Sequence, residues 1–448
     1  MKTYDKYKSS GIDWIGDIPE HWEVKRLKFL AKVNSSISNY EVSNSLIEEV
    51  VFLPMEKVSE SGSITQDLRK RINEVSSGFT YFEKGDVILA KITPCFENGK
   101  GALLDNLETD FGFGSTEFHT IRAGEKVSSK LLFYITKSHR FRVVGEAFMS
   151  GSAGQKRVSA DFVKDYRIAL PPLPEQTAIA NYLDEKTAQI DSLINNKMRL
   201  IELLKEERTA IINQVVTRGI NPHAKLKPSG IAWLGDIPEQ WKLARIKFFV
   251  NYAKGYAFKT DFFQPTGIPV IKASDIKSFT IRAGKDFLNP EVVAQFQSVK
   301  LSAGDIVIST VGSTPDVVNS AVGQIAKIPS EFDGSYLNQN ALRIYSDDEI
   351  YLSNNYLFYF LISNPYRKYL DLHAHGTANQ ASLNVEDMLD FVIAFPSSEE
   401  QKQIVAFIET ATEKIDATIA KIEKEIGFMR EYRTALISEV VTGKIKVV

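Results

Sequence analysis

The chain has 448 residues, 44% hydrophobic and 25% charged; this is ordinary globular composition, long enough for two to four domains because one core rarely grows past about 250–300 residues. Its single cysteine, Cys95, excludes a disulfide framework or a cysteine zinc site within the chain. A net charge of −2 and a pI near 6.4 exclude the overall cationic excess of a nonspecific DNA binder, so any basic surface must be made by folding or lent by a partner. Residues 1–10 are polar and lysine-rich, no apolar run follows them, and no stretch approaches the ~20 apolar residues of a membrane helix. The expectation is a cytoplasmic protein.

In chain order, the first element is Ser10-Gly-Ile-Asp-Trp-Ile-Gly-Asp-Ile-Pro-Glu-His-Trp22. It returns as Ser229-Gly-Ile-Ala-Trp-Leu-Gly-Asp-Ile-Pro-Glu-Gln-Trp241, and the match continues through Arg26/Arg245, Lys28/Lys247 and Phe29/Phe248. Between Phe29 and Leu132, and again between Phe248 and Leu357, similarity collapses. Within these middles, Gly85-Asp-Val-Ile-Leu-Ala90 and Gly304-Asp-Ile-Val-Ile-Ser309 predict a turn feeding a strand. Phe111-Gly-Phe-Gly-Ser115 lacks the helix-period pattern that follows a cofactor loop, and predicts a strand or turn. Residues 118–122 and 341–345 predict strands. Residues 131–144 and 355–370 predict short helices, the second interrupted by Pro365. From Leu132 to Thr217 the copies run in step: Gly151-Ser-Ala-Gly-Gln155 with Gly376-Thr-Ala-Asn-Gln380, Glu175-Gln176 with Glu400-Gln401, Arg208 with Arg433, and Val215-Val-Thr217 with Val440-Val-Thr442. A repeat this long is a duplicated domain, not a solenoid.

Each copy ends in a helical pattern, residues 174–217 and 399–442, free of internal proline after its first residues and rich in Leu, Ile, Glu, Lys and Arg. Apolar residues recur at steps of three, four and seven: Ile179, Leu183, Ile190, Ile194, Ile201, Leu204, Ile211 and Val215 in the first, and Ile404, Ile408, Ile415, Ile419, Ile422, Ile426, Met429, Leu436 and Val440 in the second. Some forty residues at 1.5 Å each make a rod of roughly 60 Å. One apolar stripe on such a rod would stay wet, so the two are expected to pair as an antiparallel coiled-coil-like spacer, with Ile190, Ile194, Ile201, Leu204, Ile211, Ile415, Ile419, Ile426, Met429 and Leu436 at the interface. The competing arrangement packs each helix on its own domain. The fold class is α/β (α+β): a tandem duplication of a mixed α/β domain followed by a long helix. The expected divisions are residues 1–172 and 223–397 for the two domains, and 173–222 and 398–448 for the two helices.

Catalytic motifs are missing. Gly99-Lys100-Gly101 lacks the upstream glycine and the Ser/Thr of a phosphate loop, and Asn364-Pro365-Tyr366 lacks the second proline of an amino-methyltransferase motif. The six histidines, His21, His119, His139, His223, His373 and His375, show no ligand spacing beside acids; His373-Ala-His375 stands without a third ligand, and all are expected to be loop residues. No catalytic or metal site is predicted.

The paired Gly-Asp-Ile-Pro-Glu-x-Trp openings, the Gly-x-x-x-Gln turns and the Pro-x-x-x-Glu-Gln starts of the long helices resemble the specificity (S) subunit of Type I restriction-modification systems. Pro171-Pro-Leu-Pro-Glu-Gln176 is especially characteristic; the second copy, Pro396-Ser-Ser-Glu-Glu-Gln401, loses the later prolines. The resemblance implies two target-recognition domains, each reading half of a bipartite site in double-stranded DNA, and two conserved helices that dock two modification (methyltransferase) subunits. It implies S-adenosylmethionine, ATP and Mg²⁺ on the modification and restriction/translocase partners, and no cofactor on this chain. Two alternatives stand beside it: a stand-alone DNA-modifying enzyme, and a structural coiled-coil adaptor.

Bases are read by Arg, Lys, Asn, Gln and Glu on groove-facing loops. The candidates are Lys91, Lys100, Ser115, Glu117, Gln155, Lys156 and Arg157 in the first domain, and Asn338, Gln339, Asn340, Asn379 and Gln380 in the second. Gln155 and Gln380 could instead be turn caps. Trp14, Trp22, Trp233 and Trp241 are expected to pack rather than to stack on bases.

Overall fold

The computed structural model describes residues 2–37, 48–152, 154–282, 286–313, 322–377 and 380–447. It forms two compact units: Met1–Met198 with Glu423–Val448, and Arg199–Ile422. Each unit therefore holds one mixed α/β domain, the first part of the long helix that follows it, and the last part of the other long helix.

In the first unit a four-stranded antiparallel sheet has the order Ala31–Val33, Phe118–Ala123, Val87–Ala90, Gly101–Leu103. In the second unit Val250–Lys254, Ala341–Ser346, Ile306–Ser309 and Ile325–Lys327 repeat that order and those directions. The Gly-Asp pairs work as read: Gly85 and Gly304 both have φ +90°, which glycine adopts without a Cβ clash. Asp86 and Asp305 each accept a backbone N–H from three residues earlier, Glu83 and Ser302, at 2.8 Å. The strands that follow are fully buried. The second sheet of each unit differs in strand order: Arg69–Arg71, Glu49–Leu53, Phe111–Gly114, Thr80–Glu83 in one, and Phe263–Gln264, Phe287–Leu288, Ile268–Ile271, Tyr336–Leu337 in the other. Both keep one parallel pair, Glu49–Leu53 with Phe111–Gly114 and Ile268–Ile271 with Tyr336–Leu337.

The short helices come in pairs: Ser129–Lys137 and His139–Ala147, then Asn354–Leu361 and Asn364–His373. The first break falls at Ser138, which caps the next helix by accepting from Phe141 N. Pro365 does not interrupt a helix; it occupies the first turn of one, where its missing N–H costs nothing.

The long helices span Leu173–Arg218 and Ser398–Val441. Their starts are fastened by the Glu-Gln pairs. Buried Gln176 accepts from Ser128 N at 2.8 Å and donates to the carbonyls of Lys126 and Pro171 at 3.0 and 2.9 Å. Gln401 likewise accepts from Ser353 N at 2.9 Å and donates to Tyr351 O and Pro396 O at 2.8 and 3.2 Å. Glu175 takes the indole N–H of Trp22 at 3.1 Å, and Glu400 that of Trp241 at 3.0 Å. Both tryptophans are fully buried, as packing residues should be.

The helix parts that share a unit run antiparallel. In the first unit Asp191 pairs with Arg433 at 3.1 Å and Lys197 with Glu425 at 2.6 Å, so ascending numbers on one helix meet descending numbers on the other. In the second unit Arg208 pairs with Asp416 at 3.1 Å, the same two repeat positions with the helices exchanged. Ile190, Ile194, Ile201, Ile415, Ile426 and Leu436 are buried, with Ile422; Leu204, Ile211, Ile419 and Met429 are half-buried. The stripe is shared between two jobs, because Ile404 and Ile408 sit in the domain core of the second unit with Ile212, Val215 and Val216.

Candidate nucleic-acid interface

Matching backbone frames carry the candidate residues. In the first unit Lys91 N donates to Glu117 O and Val158 N to Lys91 O, both at 2.8 Å, while Ser115 N donates to Leu53 O at 3.0 Å. In the second unit Thr310 N donates to Asn340 O and Leu383 N to Thr310 O, both at 2.8 Å, and Asn338 N donates to Ile271 O at 2.9 Å. These bonds tie the end of the central strand to the loop before its neighbour and to the segment after the Gly-x-x-x-Gln turn. Lys91, Ser115, Glu117 and Arg157 thus share one edge with Lys156, whose backbone N–H and C=O bond Thr93.

The side chains on the two frames differ. In the first unit Arg157 grips Glu117 with two parallel bonds, 2.9 and 2.7 Å. The Arg157 guanidinium holds the Glu117 carboxyl below the usual range, against the opposing effect of partial burial. In the second unit the frame presents Thr310, Asn340 and Ser382, neutral donors and acceptors. Asn340 adopts φ +68°, a left-handed conformation that asparagine tolerates better than most residues.

Lys91 also lines a cleft of about 290 Å³ with Asn34, Ser35, Tyr81 and Thr116. Ser35 Oγ there is buried and makes no hydrogen bond among the described residues. No motif marks Asn34, Ser35 or Thr116 in the sequence; only the strand pairing of Ala31–Val33 brings the first two to this edge.

Other candidates fall elsewhere. Lys100 stands outside this bonding network, its ammonium donating to Met55 O at 3.1 Å. Asn338 is buried rather than groove-facing: its carbonyl lies so close to Gly255 that a Cβ there would sit 1.9 Å from it. Gln339 and Asn340 are exposed beside it. Gln155 and Gln380 are both exposed, and Gln380 pairs with Thr377 in the hairpin of His375–Thr377 and Gln380–Ser382. Asn379 lies outside the described residues. His119 is no loop residue: it is buried on Phe118–Ala123, bonded to Asn34 and Val158 O, and burial lowers its pKa. Among the described residues no group of three or more His, Cys, Asp or Glu could hold a metal ion, and no helix is long and apolar enough to cross a membrane.

The fold recurs in solved structures. A chain from a structure of complex assembly and conformational transition in a type I R-M system superposes with TM-score 0.71 at 18% identity, covering 96% of this chain and 99% of that one. The HsdS subunit from Thermoanaerobacter tengcongensis gives TM-score 0.52 at 17% identity, covering 96% and 98%. Among curated relatives, the Type I restriction enzyme EcoAI specificity subunit of Escherichia coli is 27% identical over 65% of this chain, and the EcoEI subunit 39% identical over 40%. These alignments span 62% and 30% of those two relatives. The MjaVIII specificity subunit of Methanocaldococcus jannaschii is 24% identical, covering 96% of this chain and 94% of its own. The family model for the Type I restriction modification DNA specificity domain matches residues 19–203 and 238–427, both stretches beginning at the proline of a Gly-Asp-Ile-Pro opening, and the chain belongs to that family.

Proposed function

We propose that the chain is the DNA sequence-recognition subunit of a Type I restriction-modification complex. In this reading each domain reads half of a bipartite duplex target, and the chain does no chemistry itself. The observation that carries the reading is the pair of matched frames: identical backbone bonds present Lys91, Glu117 and Arg157 in one unit and Thr310, Asn340 and Ser382 in the other. A scaffold has no use for dissimilar polar sets on matching frames, whereas two half-sites of different sequence require them. Two modification subunits carrying S-adenosylmethionine dock on the long helices, and ATP and Mg²⁺ belong to the restriction/translocase partners. The complex works in the cytoplasm, where its DNA is.

The test exchanges residues 30–150 for the same span of a relative and sequences the methylome of the host. One half of the methylated motif changes and the other stays; a change in both halves or in neither overturns the assignment. Purified chain incubated with DNA, Mg²⁺ and S-adenosylmethionine should transfer no methyl group and make no cut. Activity in that mixture returns the stand-alone enzyme.

A further inference from the structure

The first unit also has an open polar pocket, lined by none of the candidate base-reading residues. It has a volume of about 300 Å³ and is lined by Lys137, Arg142, Arg430 and Arg433, with Glu60 and Asp191 as its acids. Four cations face two carboxylates. Lys137, the last residue of the helix Ser129–Lys137, is 8% exposed. Its ammonium donates to three carbonyls, Glu60 O at 2.8 Å, Gly99 O at 2.7 Å and Gly101 O at 2.9 Å. Three acceptors around one nitrogen suit the charged form, which has three N–H donors. Yet burial, and then the nearby guanidiniums of Arg433 and Arg142, push the lysine down to about 7, with Glu60 only partly offsetting them. Burial also lowers Arg142; its Nη1 donates to Glu97 O at 2.8 Å, while its Nε is buried without a partner. Positive charge is thus concentrated here beyond what the two acids neutralise.

The duplication supplies an internal control. The second unit keeps the Arg208–Asp416 pair, but has buried Ile362 at the position of Lys137. There Arg367, the counterpart of Arg142, is bonded to Val322 O at 2.9 Å and to Asp371 at 2.7 Å, and Arg208 meets the ring of Phe279. The second unit thus keeps three of the four cations, as Lys205, Arg208 and Arg367, but not the buried lysine, so it is Lys137 that is private to the first unit and not a demand of the shared fold.

We propose that this pocket binds a small tetrahedral oxyanion of the phosphate or sulfate class. Guanidiniums match the oxygens of such an ion; Arg433 already holds Asp191 at 3.1 Å, so Arg142 and Arg430 are the ones left to meet it, and Ser61, Asn98, Asn195 and Thr434 in the same lining add neutral hydrogen-bonding groups. The volume lies at the small end of ligand pockets, about 300–1,000 Å³, which suits an ion with its waters rather than a nucleotide. The bound ion offsets the mutual repulsion of Arg142 on the domain and Arg433 on the helix, and favours the protonated lysine.

Sulfate is the cleaner probe because its charge is constant near neutrality. Calorimetric titration of sulfate into the full chain, at fixed ionic strength with chloride as the balancing salt, should give one site per chain at pH 6. Arg142→Gln should weaken binding at least tenfold, and Arg430→Gln, at an exposed position that leaves folding intact, several-fold. Arg367→Gln in the second unit should leave it unchanged. Affinity should fall as pH rises from 6 to 8 and Lys137, facing Arg142, Arg433 and Glu60, loses its proton. Absence of binding, equal binding of chloride, loss in Arg367→Gln matching that in Arg142→Gln, or displacement of sulfate by unrelated duplex DNA each overturns the proposal.

Discussion

Gln176 and Gln401 show what a motif can hide at the scale of one residue. The sequence marks Glu-Gln as a repeat at each helix start but gives no reason for it, because the partners are backbone groups about fifty residues upstream and at the preceding proline. Each glutamine makes three buried bonds. At roughly 1 kcal/mol net per bond, and more where a carbonyl or N–H is left unpaired, Gln176→Leu should destabilise the chain by about 2–4 kcal/mol. Gln401→Leu should cost about the same. Urea unfolding followed by far-UV circular dichroism measures both; a loss below 1 kcal/mol would remove the fastening role. At the edge that carries Glu117 and Arg157 the opposite balance holds. Glu117 and Arg157 are partly exposed, so replacing the pair with the second unit's Asn and Ser should leave stability nearly unchanged. It should nevertheless alter one half of the methylated motif, read by methylome sequencing. The ion pair itself was invisible in the sequence, since strand pairing alone brings residues 117 and 157 together.

Among the elements, periodicity was the legible signal. The period of the apolar residues set both long helices to within a residue or two, and turn chemistry set the strands after Gly85 and Gly304. Of the second sheets only Phe111–Gly114 was legible, as a strand or turn; several other strands are only two residues long, Phe263–Gln264 and Phe287–Leu288 among them, too short for alternation to register. Nor could periodicity divide the stripe between domain core and helix pair, because both ask for the same apolar spacing. Burial now separates its members. Ile194 is 7% exposed and Ile419 half-buried, so an aspartate at 194 loses its solvation and one at 419 keeps part of it. Ile194→Asp should destabilise the chain by several kcal/mol and Ile419→Asp by distinctly less. Equal losses by denaturant unfolding would contradict this division of the seam. The flanking Asp191–Arg433 pair should contribute little, about 0.2–1 kcal/mol of coupling in a double-mutant cycle.

For the whole molecule, duplication decides how many partners are expected. A surface written twice can take the same partner twice, and the long helices carry such a surface on the side away from their seam. Leu203 and Phe428 occupy the same position in the two copies and are 44% and 56% exposed, which makes them the matched apolar positions to test. Leu193 and Met198 in the first unit, and Leu200 and Phe407 in the second, are exposed as well. If modification subunits dock there, the two positions should fail independently. Phe428→Asp and Leu203→Asp should each lower the light-scattering mass of the co-expressed complex by one modification subunit, and the double variant by two. Methylation should fall with the first loss, while circular dichroism of the chain stays unchanged, because neither side chain is part of a core. A double variant that retains both subunits would move the docking surface elsewhere; a single variant that loses both would mean that the subunits bind as a pair and not one to each copy.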